Sequence, residues 1–368
     1  MTTATNNFFK TERTASEIKL ELLPRVFEIF VTSLLLESKA TAPVLCLDLL
    51  AGMDGHEPTL ATVQWLRQVY SSTNSRLDLN QGTQVVLYDA DKSALAELQE
   101  RIKQHPFLQE LQHPPVVLHD EALLQELLEA GPHLVGFLNP FKDSCSLEML
   151  FRAAMDEQAD LFMFFPLEDM RIALKKAKPD SPLSEHFGDR LTQIKEFQKK
   201  TKNTDRREEF LLDNFDSLLK EKGCHVFRFR VNHSDKAQSS YYLVSATKSA
   251  IAHLRLKELM QAYSDVQEDG VPLFGANLKM QQTSLFHEHY KYSISNLVQE
   301  LLQKASMYNN MALQQVYEKH SIGTHYILEN YKLAYERLLR QGKVHFINPK
   351  TGQTITKPTY TSKVRYSS

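Results

Sequence analysis

The sequence has little of what usually identifies a protein quickly. Only three cysteines occur in 368 residues (Cys46, Cys145 and Cys224), each alone in or beside an apolar segment. Neither a disulfide framework nor a cysteine-rich zinc cluster can be built from them. The longest apolar stretches, such as 159–167, fall well short of the ~20 residues that span a bilayer. No basic region followed by an apolar run opens the chain, so a secretory signal is absent from the visible pattern. Charge of one sign is not in excess, with 43 Lys and Arg against 45 Asp and Glu for a net of −2. A uniformly basic protein is therefore excluded. No G-x-x-x-x-G-K-[ST] phosphate loop, H-E-x-x-H zinc motif or G-x-S-x-G nucleophile elbow occurs. His287 and His289 form an H-x-H without a third ligand nearby, so no metal is expected. These absences lead to an expectation of a cytoplasmic protein with no membrane contact, and the length suggests two or three domains.

What is present is a regular alternation. Residues 16–37 place Ile18, Leu22, Val26, Ile29 and Phe30 at helical spacing, with Ser16 as the expected N-cap and Pro24 as a kink or a division. From residue 43 short apolar runs alternate with amphipathic stretches. The runs are 43–50, 84–88, 115–118, 134–138 and 160–165; the helical faces carry Leu60 to Val69, Leu95 to Ile102, Leu123 to Leu128 and Leu147 to Ala154. Continuous apolar runs separated by helices predict a parallel sheet covered on both faces. Two further runs, 225–231 and 241–247, are separated by only nine residues, too few for a crossover helix, and so predict antiparallel neighbours. Five parallel βα units followed by an antiparallel terminal hairpin resemble the strand sequence of class I methyltransferases. The expected fold is thus α/β, Rossmann-like, with a helical lead over 1–40 and a methyltransferase-like domain over 41–278.

Charge is distributed unevenly. Residues 171–207, within an insertion at about 171–223, carry eleven basic and five acidic residues, a local net of +6. This is either a solvated helical face or a basic surface for a polyanion, with Lys199, Lys200, Lys202 and Arg206 as the candidate contacts. Over 284–368, three helical patterns precede two short β runs flanking the turn-forming N-P-K-T-G-Q, the order of a winged helix-turn-helix. Gly342 suits the position just past the last helix. Residues 342–368 hold five basic residues and no acid, which makes Lys350, Lys357, Lys363 and Arg365 candidate nucleic-acid contacts.

A parallel sheet places its ligand at the strand C-termini, where a small-residue turn admits a nucleotide-like cofactor. The first strand ends in D-L-L-A-G-M-D-G, with Asp48 a candidate for an amine and Ala51, Gly52 and Gly55 the residues that would allow close approach. The second ends in Y-D-A-D, with Asp89 the ribose candidate and Asp91 a helix cap. Asp120, after the third, suits either an adenine amino group or helix capping. The fourth ends in Asn139-Pro140-Phe141, which suits either a flat, amine-bearing substrate or a Pro-stabilised turn with Phe141 in the core.

Taken in order, E-I-K-L-E-L-L (17–23), D-L-L-A-G-M-D-G (48–55), Y-D-A-D (88–91), F-L-N-P-F (137–141), R-E-E-F-L-L (207–212), Y-Y-L-V-S-A-T (241–247) and G-V-P-L-F (270–274) resemble the bacterial three-Cys-motif partner family, TcmP, over residues 8–278. The resemblance implies S-adenosylmethionine as cofactor, Asn139, Pro140 and Phe141 as catalytic positions, nucleic acid as target, and a three-Cys-motif protein as partner. Two departures stand out. The family turn reads D-x-F-A-G-P-G, where this chain has Met53-Asp54, and the family acid before Pro is replaced by Asn139. The alternative expectation is a non-catalytic, methyltransferase-like protein of a mobile-element or defence locus that binds nucleic acid or its partner. A nuclease is disfavoured, because the carboxylates do not cluster as a two-metal site requires.

Overall fold

The computed structural model describes residues 7–37, 43–54, 60–129, 133–142, 159–232, 240–277 and 291–367. They fall into two compact units, one comprising Glu12–Phe229 with Asp235–Leu256, the other Met1–Thr11, Arg230–Ser234 and Lys257–Ser368.

The larger unit begins with helix α1 (Ala15–Glu37), which runs unbroken through Pro24. Its start is set by Thr14 rather than Ser16. The Thr14 hydroxyl accepts from the Glu17 amide at 3.2 Å, and the Glu17 carboxylate accepts from the Thr14 amide at 2.8 Å, a reciprocal capping box. Seven strands follow: β1 (Val44–Asp48), β2 (Thr83–Tyr88), β3 (Val116–Leu118), β4 (Leu134–Leu138), β5 (Ala159–Pro166), β6 (His225–Val231) and β7 (Tyr241–Thr247). Their order is β3-β2-β1-β4-β5-β7-β6. The first five are parallel, and β7 lies antiparallel to β5. Every residue of β1 and β4 is buried. That is the burial expected of strands covered on both faces, and it explains why their apolar runs show no alternation.

The covering helices are α2 (Ala61–Ser71), the one-turn α3 (Leu79–Gly82), α4 (Lys92–Lys103) and α5 (Glu121–Glu129). The helical pattern at 147–154 lies outside the described residues. On α1, Phe27 meets Trp65 of α2 edge-on at 6.1 Å. The insertion after β5 is helical: α6 (Leu167–Lys176), α7 (Pro182–Phe187), α8 (Asp189–Lys200) and α9 (Thr204–Glu221). Its other face is buried. Leu174, Phe187, Ile194, Leu211 and Phe215 join the core that holds Phe141 and Phe165. α10 (Ala250–Gln261) follows β7.

In the smaller unit the last residues of β6, Arg230 and Val231, pair with β8 (Gly275–Ala276). Four helices come next: α11 (Ile294–Gln303), the single turn α12 (Ala305–Tyr308), α13 (Leu313–His320) and α14 (Leu328–Arg340). Gly342 ends α14 with φ of 70°, where a side chain would be strained. The terminal sheet has three strands rather than the two expected, β10 (Thr354–Ile355), β9 (Val344–Ile347) and β11 (Lys363–Tyr366), in the order β10-β9-β11. β11 is clasped on its other side by the segment before α13: the Val364 amide donates to Met311 O at 2.8 Å, and the Asn310 amide to Val364 O at 2.7 Å. Leu297, Leu301, Val316, Tyr331, Tyr335, Leu338, Phe346 and Val364 form the buried interior.

Candidate functional site

The strand edge brings Gly52 and Asp89 into contact. The Gly52 amide donates to Asp89 Oδ2 at 3.1 Å, and the Asp91 amide donates to Asp89 Oδ1 at 3.0 Å. A Cβ at position 52 would lie 2.7 Å from Asp89 Oδ2 and 2.9 Å from the Ala94 Cβ, so only glycine fits. Asp91 caps α4 by accepting from the Ser93 and Ala94 amides. Lys142, which the sequence did not single out, brings its ammonium to 3.9 Å from Asp89 Oδ2. Gly55 lies outside the described residues.

Asp48 sits apart from this contact, in a closed polar knot. Its carboxylate is 0% exposed and pairs at 2.8 Å with the equally buried Lys19 ammonium. It also accepts from the Thr62 hydroxyl and the Leu50 amide, both at 3.0 Å. Lys19 donates in addition to Leu50 O at 2.8 Å and lies over the Phe137 ring. A buried carboxylate must find such partners, because removal from water costs several kcal/mol per ion. Lys19 was the missed residue here. Its signal is a single cation on the apolar stripe of α1, four residues before Leu23 and eight before Phe27.

The cavity beside the turn, lined by Ala51, Gly52, Leu60, Ala94, Leu98 and Arg101, has a volume of about 30 Å³. That is room for about one water. Of the described residues, Gly52 and Asp89 fit a nucleoside at the strand edge, whereas Asp48 is committed to Lys19; the continuation of the turn over 55–59 lies outside the described residues.

At the end of β4, the Asn139 amide group donates to Asp169 Oδ2 at 2.7 Å, and its oxygen accepts from the Phe141 amide at 3.0 Å. Asp169, another residue missed, comes from the first turn of α6. Phe141 is buried against Phe165 and Phe215, at ring distances of 4.9 and 5.4 Å, and Pro140 is buried beside it. Asp120 is exposed and accepts from the Ala122 amide at 2.8 Å, at the start of α5.

Lys199, Lys200, Lys202 and Arg206 are all exposed around the α8–α9 junction, with Lys200 paired to Glu196 at 3.1 Å. In the smaller unit Lys350, Lys357, Lys363 and Arg365 are likewise exposed. Along β11 the alternation places Lys363 and Arg365 outward and Val364 inward, with Lys363 opposite Ile347 and Arg365 opposite His345 on β9. In the same unit the buried His320 joins two groups: its Nδ1 meets the Tyr331 hydroxyl at 2.7 Å and its Nε2 meets the partly exposed Glu300 at 3.2 Å. Burial, with Lys304 and Lys257 nearby, pushes the His320 imidazole down to about 4, and burial raises the Glu300 carboxyl. Among the described residues no His, Cys, Asp and Glu group could hold a metal, and no helix is long and apolar enough to cross a membrane.

The strand order and the mostly parallel sheet define a class I methyltransferase architecture. Residues 275–351 match the model of the GMT-like wHTH domain, so the second unit carries a winged helix-turn-helix. No curated protein matches the chain in sequence. Solved structures that resemble it include an rRNA methylase from Streptococcus thermophilus (7% identity, 61% of this chain and 95% of that one, TM-score 0.30). An O-methyltransferase from Bacillus cereus in complex with SAH is similar at 8% identity, over 64% of this chain and 92% of that one, TM-score 0.30. Magnesium protoporphyrin IX methyltransferase from Synechocystis, with bound SAH, reaches 12% identity over 64% and 89%, TM-score 0.28. At these scores the likenesses carry no argument of their own; the topology does.

Proposed function

We propose that this chain is a nucleic-acid-binding protein of methyltransferase architecture whose contact surface is the winged-helix unit. The observation that carries the reading is the wing itself: exposed Lys350, Lys357, Lys363 and Arg365 in a stretch, 342–368, with no acid to neutralise them. Lys199, Lys200, Lys202 and Arg206 offer a second basic surface. The α/β unit then serves as a scaffold, and the TcmP resemblance makes a three-Cys-motif protein the partner to try. Reversing the charge of the four wing residues abolishes retention of DNA or RNA at moderate salt; unchanged retention removes the wing from the account.

A second reading, an S-adenosylmethionine-dependent methyltransferase acting on nucleic acid, is favoured by one observation. Gly52 and Asp89, the turn and the ribose acid, meet at the strand edge. In that reading the group supplies an electrophilic methyl, Asp89 holds the ribose, and Asn139, Pro140 and Phe141 border the acceptor. Asp48 and Asp120 supply the remaining cofactor contacts that the resemblance implies, and Asp48 would have to exchange Lys19 for the cofactor's amine. Photocrosslinking of labelled S-adenosylmethionine at a peptide containing Gly52 or Asp89 establishes it; labelling nowhere above background rejects it.

A further inference from the structure

The start of the helix that a helix-turn-helix normally presents to base edges is engaged in this chain by the chain itself. In such motifs the N-terminal residues of the second, recognition helix enter the major groove. Here those residues belong to the first turns of α14, and Tyr360, between β10 and β11, lies on them. The Tyr360 hydroxyl donates to the Glu329 carboxylate, and the Lys332 ammonium stands 6.0 Å from the centre of the Tyr360 ring. The backbone fixes Tyr360 from the other side, since the Gln314 amide donates to Tyr360 O at 2.9 Å. Two of the cations and acids that base reading would use are thus engaged with the wing.

The rest of the outward face of α14 is no better suited. It shows Glu336, Arg337 and Arg340 around Leu333, which is 42% exposed, so acid and base alternate about an apolar centre. The sheet beside it differs. Lys363 and Arg365 project from one side of β11, two residues apart and so ~7 Å along the strand, with Lys343, Lys350 and Lys357 exposed and no acid from 342 to 368. The rings among them are poorly placed to stack an unpaired base: Phe346 is buried, Tyr366 is tied to Tyr335 and Leu301, and His345, across from Arg365, is only partly exposed.

Resting on the reading that this unit binds nucleic acid, we propose that it holds a duplex by its phosphate backbone through β11 and the wing, independent of base sequence, while Tyr360 keeps α14 out of the groove. The partner's chemistry is a regular double row of phosphodiesters, which duplex DNA and duplex RNA both offer.

The test uses the full chain and fluorescently labelled 20-mers: duplex DNA of two unrelated sequences, duplex RNA, and single-stranded DNA, at several salt concentrations. The proposal expects the two DNA sequences to bind within about twofold of each other, and at least one duplex to bind more tightly than the single strand. K363E/R365E costs more than tenfold and flattens the salt dependence, whereas R337E/R340E changes affinity less than threefold. A preference of tenfold or more between the DNA sequences, a greater loss in R337E/R340E than in K363E/R365E, or tighter binding of the single strand overturns it while leaving the winged-helix unit as the binding surface. Insensitivity to both variants overturns the underlying reading as well. Y360A separates the clasp from the wing: it should leave K363E/R365E just as damaging but allow the two DNA sequences to differ, and continued indifference to sequence removes Tyr360 from the proposal.

Discussion

Two groups of polar side chains in this chain are built on opposite principles. At the edge of the large sheet, three polar side chains are met from within: Asp48 by Lys19, Thr62 and a backbone amide, Asp89 by the Gly52 amide, and Asn139 by Asp169. On the wing, the candidate side chains stand in water with no acid in their stretch of sequence. Saturated groups in a low-dielectric interior stabilise one conformation and resist exchange, because any new partner must first replace an existing one. Solvated cations cost little to bring to a polyanion, which releases its own counterions.

Lys19→Met strands the Asp48 carboxylate without its cation, and urea denaturation should show a loss of about 3–5 kcal/mol. Adding Asp48→Asn should recover part of it, which a mere packing defect would not. Gly52→Ala forces a methyl against Asp89 and Ala94 and should cost about 1–3 kcal/mol, read as a lowered melting temperature.

His320 gives a pH signature. Its folded pKa lies near 4 against 6.5 for the free side chain, so the unfolded chain binds more protons between those values. The stability contributed by neutral His320 is present above pH 6.5 and is lost as pH falls toward 4, up to about 3 kcal/mol. The raised carboxyl of Glu300 offsets part of it. Denaturant midpoints of His320→Gln should depend less on pH across this window than those of the parent.

Asp160 behaves in the opposite sense. Burial raises it to about 7, so the ionised form is disfavoured in the folded state, and stability falls as pH rises from about 4 through 7. Asp160→Asn should therefore raise the melting temperature more at pH 8 than at pH 5.

How far the sequence alone reaches can be read from single residues. Apolar runs located β1 to β7 to within a residue or two, because a strand buried on both faces leaves an unbroken hydrophobic signature. β8 is two residues long and β11 alternates Lys-Val-Arg-Tyr with one apolar residue, so neither stands out from a loop. The turn at Gly52 and the acid at Asp89 were legible because both lie at strand ends, where topology alone brings them near. Lys19 was not, since its pairing with Asp48 joins residues 29 apart across a helix and a strand, and nothing local marks a lysine as buried. Asp169 was missed for the same reason, its partner Asn139 lying 30 residues earlier.

The most direct test of the account is isothermal calorimetry on the one purified chain, titrated first with S-adenosylmethionine and then with a 20-base-pair duplex at low salt. Saturable heat from the duplex and none from the nucleoside is the predicted result. Saturable micromolar heat from S-adenosylmethionine, with none from the duplex, would contradict it.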